Sequence, residues 1–254
     1  MFDGKTKTIP VDASNNYQLT GKLIKQHWTP ATKGVLIASP SNPTGTIISA
    51  DQLEESIRTV NQIGGCFYSD EIYHGLVYGE KTKSALEFSD NVFVINSFSK
   101  FFGMTGWRVG WLIVPEEFID ATEKLAQNIF IATATHSQYA ALAAFDPNAL
   151  TELEHRRAEF QIRRDFLYQA LLDLGFGIPI KPEGAFYIYA DCSKFTDDSY
   201  QFALDLLEAE GVAIAPGKDF GAYEANHYVR FAYTISIDRM SLAMQRLEKF
   251  IRKG

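Results

Sequence analysis

A strand–helix–strand pattern near the start of this 254-residue chain constrains its fold most strongly. Residues 34–38 form an apolar run, and Ser49 then opens a segment with a capping-box pattern and apolar residues at helical intervals. Gly64 ends that helix, and a second strand-like run begins at Cys66. Such a crossover requires parallel strands joined by a right-handed connection. We therefore predict an α/β fold with a mostly parallel sheet and flanking helices.

Three polar side chains follow the ends of three predicted strands. A third apolar run, residues 92–95, comes after a shorter and irregular connection. Asn42, Asp70 and Lys100 each lie shortly after a strand end, and ligands of open parallel sheets bind beyond the carboxyl ends of the strands. The topology therefore predicts that these three residues share one edge of the sheet and surround a single ligand. Residues 109–115 predict a further strand that returns antiparallel.

Lys100 lies in a turn that also contains Ser97 and Ser99, and Arg108 follows in the same segment. A solvated lysine has a pKa near ~10.4, and desolvation or a nearby cation such as Arg108 lowers it. Hydroxyl and guanidinium donors suit a phosphate group. A single loop lysine is usually solvated and chemically idle. These neighbours instead predict an amine beside a phosphate site, which is what pyridoxal 5'-phosphate requires.

The segment 97–110 resembles the Schiff-base lysine signature of the class I/II aminotransferases, within the fold-type I pyridoxal-phosphate enzymes. The Asn-Pro-Thr-Gly turn at 42–45 and the Asp-Glu-Ile-Tyr segment at 70–73 are similar to two further motifs of that family. The resemblance implies an aspartate-aminotransferase-like fold and transfer of an amino group between an amino acid and a 2-oxo acid. It also implies a homodimer, because active sites of the family lie at a subunit interface.

The resemblance assigns roles to individual residues. Lys100 is implied to form the Schiff base and then to act as the base for proton transfer. Asp70 is implied at the pyridine nitrogen, where a carboxylate keeps the ring protonated, and Tyr73 at the phenolic oxygen. Asn42 is implied beside that oxygen and the substrate carboxylate. Arg230 is implied to hold the α-carboxylate, although a charged residue among apolar neighbours can also form a structural ion pair.

The chain predicts two domains, a cofactor-binding large domain at 1–147 and a smaller α+β domain at 148–254. Asp-Pro-Asn at 146–148 is interpreted as a break, after which a long amphipathic helix begins near Thr151 and ends before Gly175. Helices are predicted also at about 116–130, 133–144, 199–210 and from 238, and small-domain strands at 186–189, 212–214 and 228–232.

Composition narrows the class of protein. The formal net charge of −7 argues against binding to nucleic acid. Cys66 and Cys192 do not form a disulfide framework, and the five histidines lack metal-ligand spacing. No apolar stretch reaches the length of a membrane span, and the first residues carry no secretory pattern, so we expect a cytoplasmic enzyme.

The resemblance covers only the later portion of a usual family member. The family's glycine-containing helix start, which binds the phosphate, and its ring-stacking aromatic residue have no counterpart in this sequence. We therefore expect a partial large domain with an uncovered sheet edge and weakened cofactor affinity. Two alternatives stay open: a truncated, non-catalytic remnant that acts as a structural or oligomerisation partner, and a lyase of the same fold.

Overall fold

The computed structural model describes residues 4–252, and these residues form two sheets. The first sheet has the order β1-β2-β3-β4. Its parallel strands pair β1 with β2 and β2 with β3, and β4 returns antiparallel to β3. The predicted α/β class, the mostly parallel sheet and the antiparallel return are thus confirmed. The strands are Gly34–Ala38 (β1), Cys66–Asp70 (β2), Phe93–Ser97 (β3) and Gly110–Ile113 (β4).

Helices α1 (Gly21–His27) and α2 (Ala50–Ile63) cover one face of this sheet. Ser49 begins α2, because its hydroxyl accepts the Gln52 N–H at 3.3 Å. Gly64 ends it in the left-handed region, with φ of 78°. The buried side chains that join these helices to the sheet include Ile24, Leu53, Ile57, Val60, Phe67 and Val94.

The helix that leads to the second sheet begins earlier than the sequence predicted. The chain continues through α3 (Ile119–Ile129) and α4 (Thr135–Ala143) into α5, which spans Pro147–Leu174. The chain does break between α4 and α5, but at residues 144–146, and residues 147 and 148 already belong to α5. The Asp146 carboxylate accepts the Asn148 N–H at 2.8 Å, and a proline in the first turn lacks only an N–H that would have no helical partner. The same residues therefore start a helix.

The second sheet has three antiparallel strands in the order β5-β7-β6. They are Tyr187–Asp191 (β5), Ala215–Pro216 (β6) and Tyr228–Ala232 (β7), and α6 (Ser199–Glu210) and α7 (Ile237–Ile251) complete this part. The strand predicted at 212–214 was wrong, because the ladder to β7 begins only at Ala215. The apolar pattern there reflects burial of Val212 in the core and not strand pairing.

The two faces of the second sheet differ in chemistry. Ile188, Ala190, Val229 and Phe231 point into the core formed with α5, α6 and α7. Tyr187, Tyr189 and Arg230 alternate with them, so they share the opposite face. That face meets the carboxyl edge of the first sheet. No helix within residues 4–252 combines the length and apolar composition needed to cross a membrane.

Candidate active site

The strand ends bring the first group of polar residues together. Asp70 is the last residue of β2 and is paired with Ala38 on one side and Ile95 on the other. Its carboxylate accepts the Ile72 N–H at 3.1 Å, which fixes it at the sheet edge. Lys100 follows the end of β3 and lies close enough for its charge to act on Asp70.

The surroundings of the Asp70 carboxylate disfavour its ionised form. Burial raises its pKa above the ordinary value of 3.8, and the neighbouring charge of Glu71 acts in the same direction. The hydrogen bond from Ile72 and the positive charge of Lys100 act in the opposite direction. Glu71 is itself held in place, since it accepts the Ala85 N–H at 2.8 Å and the Ser69 hydroxyl at 3.0 Å. Asp70 therefore suits a cationic partner such as a pyridinium.

The Lys100 amine lies among aromatic rings. Its nitrogen is 5.4 Å from the centre of the Tyr73 ring and 5.7 Å from that of Phe186. A cavity of about 260 Å³ opens beside it, and Leu76, Phe160 and Phe186 contribute to its apolar lining. This places a half-buried amine at the wall of a small cavity.

Two hydroxyls lie in the turn that carries Lys100. The Ser97 hydroxyl donates to the Ser99 hydroxyl at 2.9 Å, and the Ser99 N–H donates to the Ser97 hydroxyl at 3.0 Å. Thr105 donates from its hydroxyl to the Ser99 carbonyl at 2.7 Å. The exposed Arg108 donates to the Thr105 carbonyl at 2.8 Å, which links its guanidinium to the same turn. The serine hydroxyls and the remaining N–H groups of Arg108 are donors of the kind that bind phosphate.

Tyr73 connects the two sheets. Its hydroxyl lies 3.1 Å from the hydroxyl of Tyr187, and its ring meets Phe186 edge-on with centroids 5.5 Å apart. Burial, reinforced by the hydrogen bond with Tyr187, raises the pKa of Tyr73 well above its ordinary value. The Tyr73 hydroxyl therefore stays protonated and can donate a hydrogen bond to a phenolate oxygen.

Arg230 approaches the same site from β7. Its Nη1 donates to the Asn42 side-chain oxygen at 2.8 Å, and its Nε is buried with no hydrogen-bond partner among residues 4–252. The structural ion pair considered from the sequence is absent from this described part of the chain, because no carboxylate lies within bonding distance of the guanidinium. An arginine with an unmet donor fits an external carboxylate.

Sequence reasoning missed three aromatic residues of this site: Phe186, Tyr187 and Phe220. Phe186 and Tyr187 lie beside Lys100 and Tyr73, and Phe220 stacks on Arg230 with 4.6 Å from the guanidinium carbon to the ring centre. No motif identified in the sequence singled out these rings. For Tyr187 alone, the alternation of aromatic residues at 187 and 189 was an available signal.

The residues present fit pyridoxal phosphate. A half-buried carboxylate with a raised pKa, an amine, a protonated phenol and a pair of hydroxyls lie at one edge, and an arginine with an unpartnered nitrogen faces them. Within residues 4–252 no group of three or more His, Cys, Asp or Glu side chains is arranged to hold a metal ion.

Comparison with known proteins agrees with this chemistry. The model of a family described as aminotransferase class I and II matches residues 2–247. A valine–pyruvate aminotransferase of Mycobacterium tuberculosis is 38% identical over 245 residues, which cover 96% of this chain and 63% of that protein. An aspartate aminotransferase of Geobacillus stearothermophilus is 35% identical, with coverage of 93% and 62%.

Solved structures show the same similarity. A crystal structure of an aminotransferase from Mycobacterium tuberculosis matches with a TM-score of 0.91 and 38% identity, over 97% of this chain and 64% of that one. Aspartate aminotransferase from Thermus thermophilus with maleate matches with a TM-score of 0.87 and 31% identity, over 93% and 62%. The chain thus spans a little under two thirds of the length of these relatives.

Proposed function

This chain belongs to the class I and II aminotransferases, and on that premise we propose that it serves pyridoxal-phosphate-dependent amino-group transfer. An amino acid and a 2-oxo acid would exchange the amino group at the joint edge of the two sheets. The observation that carries the proposal is the convergence of Asp70, Tyr73 and Lys100 from one sheet with Arg230 from the other. A non-catalytic remnant is not favoured, because such a remnant has no need to keep these groups together.

Different residues would hold different parts of the cofactor. Lys100 would hold the aldehyde carbon, Asp70 the ring nitrogen and Tyr73 the phenolic oxygen. The turn hydroxyls of Ser97 and Ser99, with Arg108 linked to the same turn, would hold the phosphate. When bound, the cofactor supplies an electron sink for the charge left on the substrate α-carbon when its proton departs.

The protein's own groups would then bind the substrate and move its proton. Arg230 would bind the α-carboxylate with a two-pronged guanidinium contact, and Asn42 would keep that guanidinium in position through its 2.8 Å hydrogen bond. The free Lys100 amine would take the proton from the substrate α-carbon and deliver it to the former aldehyde carbon of the cofactor, on the other side of the amino nitrogen. The rings of Tyr73 and Phe186 surround this amine and limit its contact with water.

Transfer to a 2-oxo acid tests the proposal directly. The purified protein, supplied with the cofactor, should convert an isotope-labelled 2-oxo acid into the amino acid, measured by mass spectrometry. Valine and aspartate are the first donors to test, because the names of two relatives point to them. Lys100→Ala should abolish the conversion. Loss of the donor without amination of the 2-oxo acid would indicate a lyase, and no donor consumption despite bound cofactor would support the remnant.

Three further predictions from the sequence belong to this proposal. A homodimer is expected from the family resemblance, and the exposed apolar side chains of α3 and α4, such as Leu125 and Leu142, offer a surface for it. A cytoplasmic location also stays a prediction. The two-domain division at 147/148 is proposed on the position of α5, which joins the parts that carry the two sheets.

A further inference from the structure

The Arg230 guanidinium lies between two aromatic rings. Its central carbon is 4.0 Å from the centre of the Tyr187 ring and 4.6 Å from the centre of the Phe220 ring. Tyr187 is nearly fully buried, with 7% of its surface exposed, so its ring cannot move easily. Both contacts are short for a cation above an aromatic face, where attraction extends to about 6 Å.

The strand register explains how this arrangement arises. Tyr187 and Arg230 stand on the same face of the second sheet, because Tyr189 is the direct partner of Arg230 and Tyr187 lies two residues before it. The Tyr187 ring therefore projects along the diagonal toward the guanidinium. Phe220 follows the short helical turn after β6, and its ring makes the second contact with the guanidinium. The remaining freedom of the guanidinium is limited at one nitrogen by Asn42.

We propose that Tyr187 and Phe220 are positioning residues for carboxylate recognition, and this inference rests on the proposed function of Arg230. The two rings restrict the guanidinium, so that the N–H groups not bonded to Asn42 keep their direction before the substrate arrives. Pre-organisation of this kind raises affinity because less side-chain freedom is lost on binding. The aromatic faces also shield the cation from water without neutralising it, as a carboxylate neighbour would.

The ring and the hydroxyl of Tyr187 contact different residues. Its hydroxyl meets the Tyr73 hydroxyl at 3.1 Å, whereas its ring faces Arg230. Removal of the hydroxyl and removal of the ring should therefore have different consequences. Tyr187→Phe keeps the ring beside Arg230 and loses only the link to Tyr73. Tyr187→Leu loses both.

The first test uses the cofactor-free protein and needs no catalysis. Nuclear magnetic resonance of protein labelled with ¹⁵N-arginine should show the Arg230 Nε–H signal, identified by its loss in Arg230→Lys, at a position displaced by the ring currents. Titration with pyruvate should shift this signal and give a dissociation constant. We expect Tyr187→Leu to raise that constant about tenfold and Phe220→Leu about fivefold, whereas Tyr187→Phe stays within about twofold of the parent.

Tyr228→Leu is the matched control. Tyr228 lies on the same strand and face as Arg230, but its ring stacks on Tyr189 with centroids 4.7 Å apart. We expect this variant to keep pyruvate affinity within about twofold of the parent, because it leaves both rings at the guanidinium. An equal loss of affinity in Tyr228→Leu and Tyr187→Leu would show a general loss of structure and overturn the inference.

The loaded enzyme provides the second test. Tyr187→Leu should raise KM for the amino donor about tenfold with little change in kcat, and Tyr187→Phe should restore KM. Unchanged KM and unchanged pyruvate affinity in Tyr187→Leu would overturn the positioning role, even if the parent transfers amino groups normally. Pyruvate-dependent shifts in a parent that binds no cofactor would instead contradict the proposed function and leave the positioning role supported.

Discussion

At the scale of single residues, Asp70 has the clearest pH-dependent consequence. Burial raises its pKa above the ordinary value of 3.8, so the folded, cofactor-free protein binds the Asp70 proton more tightly than the unfolded chain does. Below the ordinary pKa, Asp70 is protonated in both the folded and the unfolded protein, so its contribution to the free energy of unfolding does not depend on pH. As the pH rises through the raised pKa of the folded protein, that contribution falls. At neutral pH the ionised form of Asp70 therefore destabilises the cofactor-free protein, and a cation bound beside it would offset this effect.

The variant Asp70→Asn tests the direction of this effect of pH on the free energy of unfolding. The asparagine oxygen can still accept the Ile72 N–H, but it carries no charge to desolvate. We predict that the cofactor-free variant has a higher free energy of unfolding than the parent at neutral pH, and that the difference disappears below pH 3.8, the ordinary pKa. Urea denaturation at both pH values measures it. A variant less stable than the parent at neutral pH would contradict the account.

Sequence could identify part of the site residue by residue. Asn42, Asp70 and Lys100 follow strand ends, and a parallel sheet brings such ends to one edge. Tyr187 could not be found in this way, since its contact with Tyr73 joins residues 114 positions apart. That contact depends on how the second sheet faces the first, which no local pattern encodes.

At the scale of elements, the start of α2 depends on one hydroxyl. The Ser49 side chain accepts the Gln52 N–H and so satisfies a backbone donor that has no helical partner. We predict that Ser49→Ala lowers the free energy of unfolding by about 1 kcal/mol and that Ser49→Asp restores it. Chemical denaturation measures both changes.

Ser236 offers a control for the cap of α2. It occupies the corresponding position of α7, but its side chain makes no capping hydrogen bond. Ser236→Ala should therefore change the free energy of unfolding by less than about 0.5 kcal/mol. Equal losses at both serines would mean that helix propensity, and not the hydrogen bond, sets the effect.

Element boundaries show where sequence patterns fail. The bounds of α6 match the prediction because Asp198 and Gly211 cap its two ends. The start of α5 was placed too late because a proline reads equally well as a break or as a first turn, and only the hydrogen bond from Asn148 to Asp146 distinguishes them. The strand was predicted at 212–214, before its observed start at Ala215, because a valine buried in the core gives the same apolar pattern as a valine in a paired strand.

At the scale of the whole molecule, Gly45 joins the two parts that form the site. Its carbonyl accepts the N–H groups of Glu183 and Gly184 at 3.0 and 2.9 Å. Its φ is 67°, and a Cβ atom there would lie 2.7 Å from Pro182 and 2.8 Å from the Gly184 oxygen. The turn that carries Asn42 thus approaches the start of β5 as closely as a glycine permits.

Gly45→Ala should be more costly than an ordinary glycine substitution. We predict a loss of about 2–4 kcal/mol in the free energy of unfolding, because left-handed strain adds to the overlap. Gly64→Ala is the matched control: its φ is 78°, yet nothing lies within 4 Å of the added Cβ. Gly64→Ala should cost about 1 kcal/mol. Similar losses at the two glycines would contradict a close contact at Gly45.

The apolar side chains exposed on α3 and α4 predict self-association. Leu125 is 54% exposed and Leu142 is 70% exposed. We predict that the protein associates with increasing concentration in sedimentation velocity experiments, and that Leu125→Lys with Leu142→Glu weakens this association. Leu207→Lys is the control, because Leu207 is also exposed, at 43%, but lies on α6. A parent that stays monomeric throughout would contradict the proposed dimer surface.

The most direct test of the central claim is the absorption spectrum of the protein with pyridoxal 5'-phosphate. Lys100 lies at the cavity wall between Tyr73 and Phe186, and Asp70 is near enough for the two charges to interact. Addition of the cofactor to the parent should produce a visible band that persists after gel filtration, and Lys100→Ala should lose it. A band that is equally strong and equally retained in Lys100→Ala would contradict the assignment of this site.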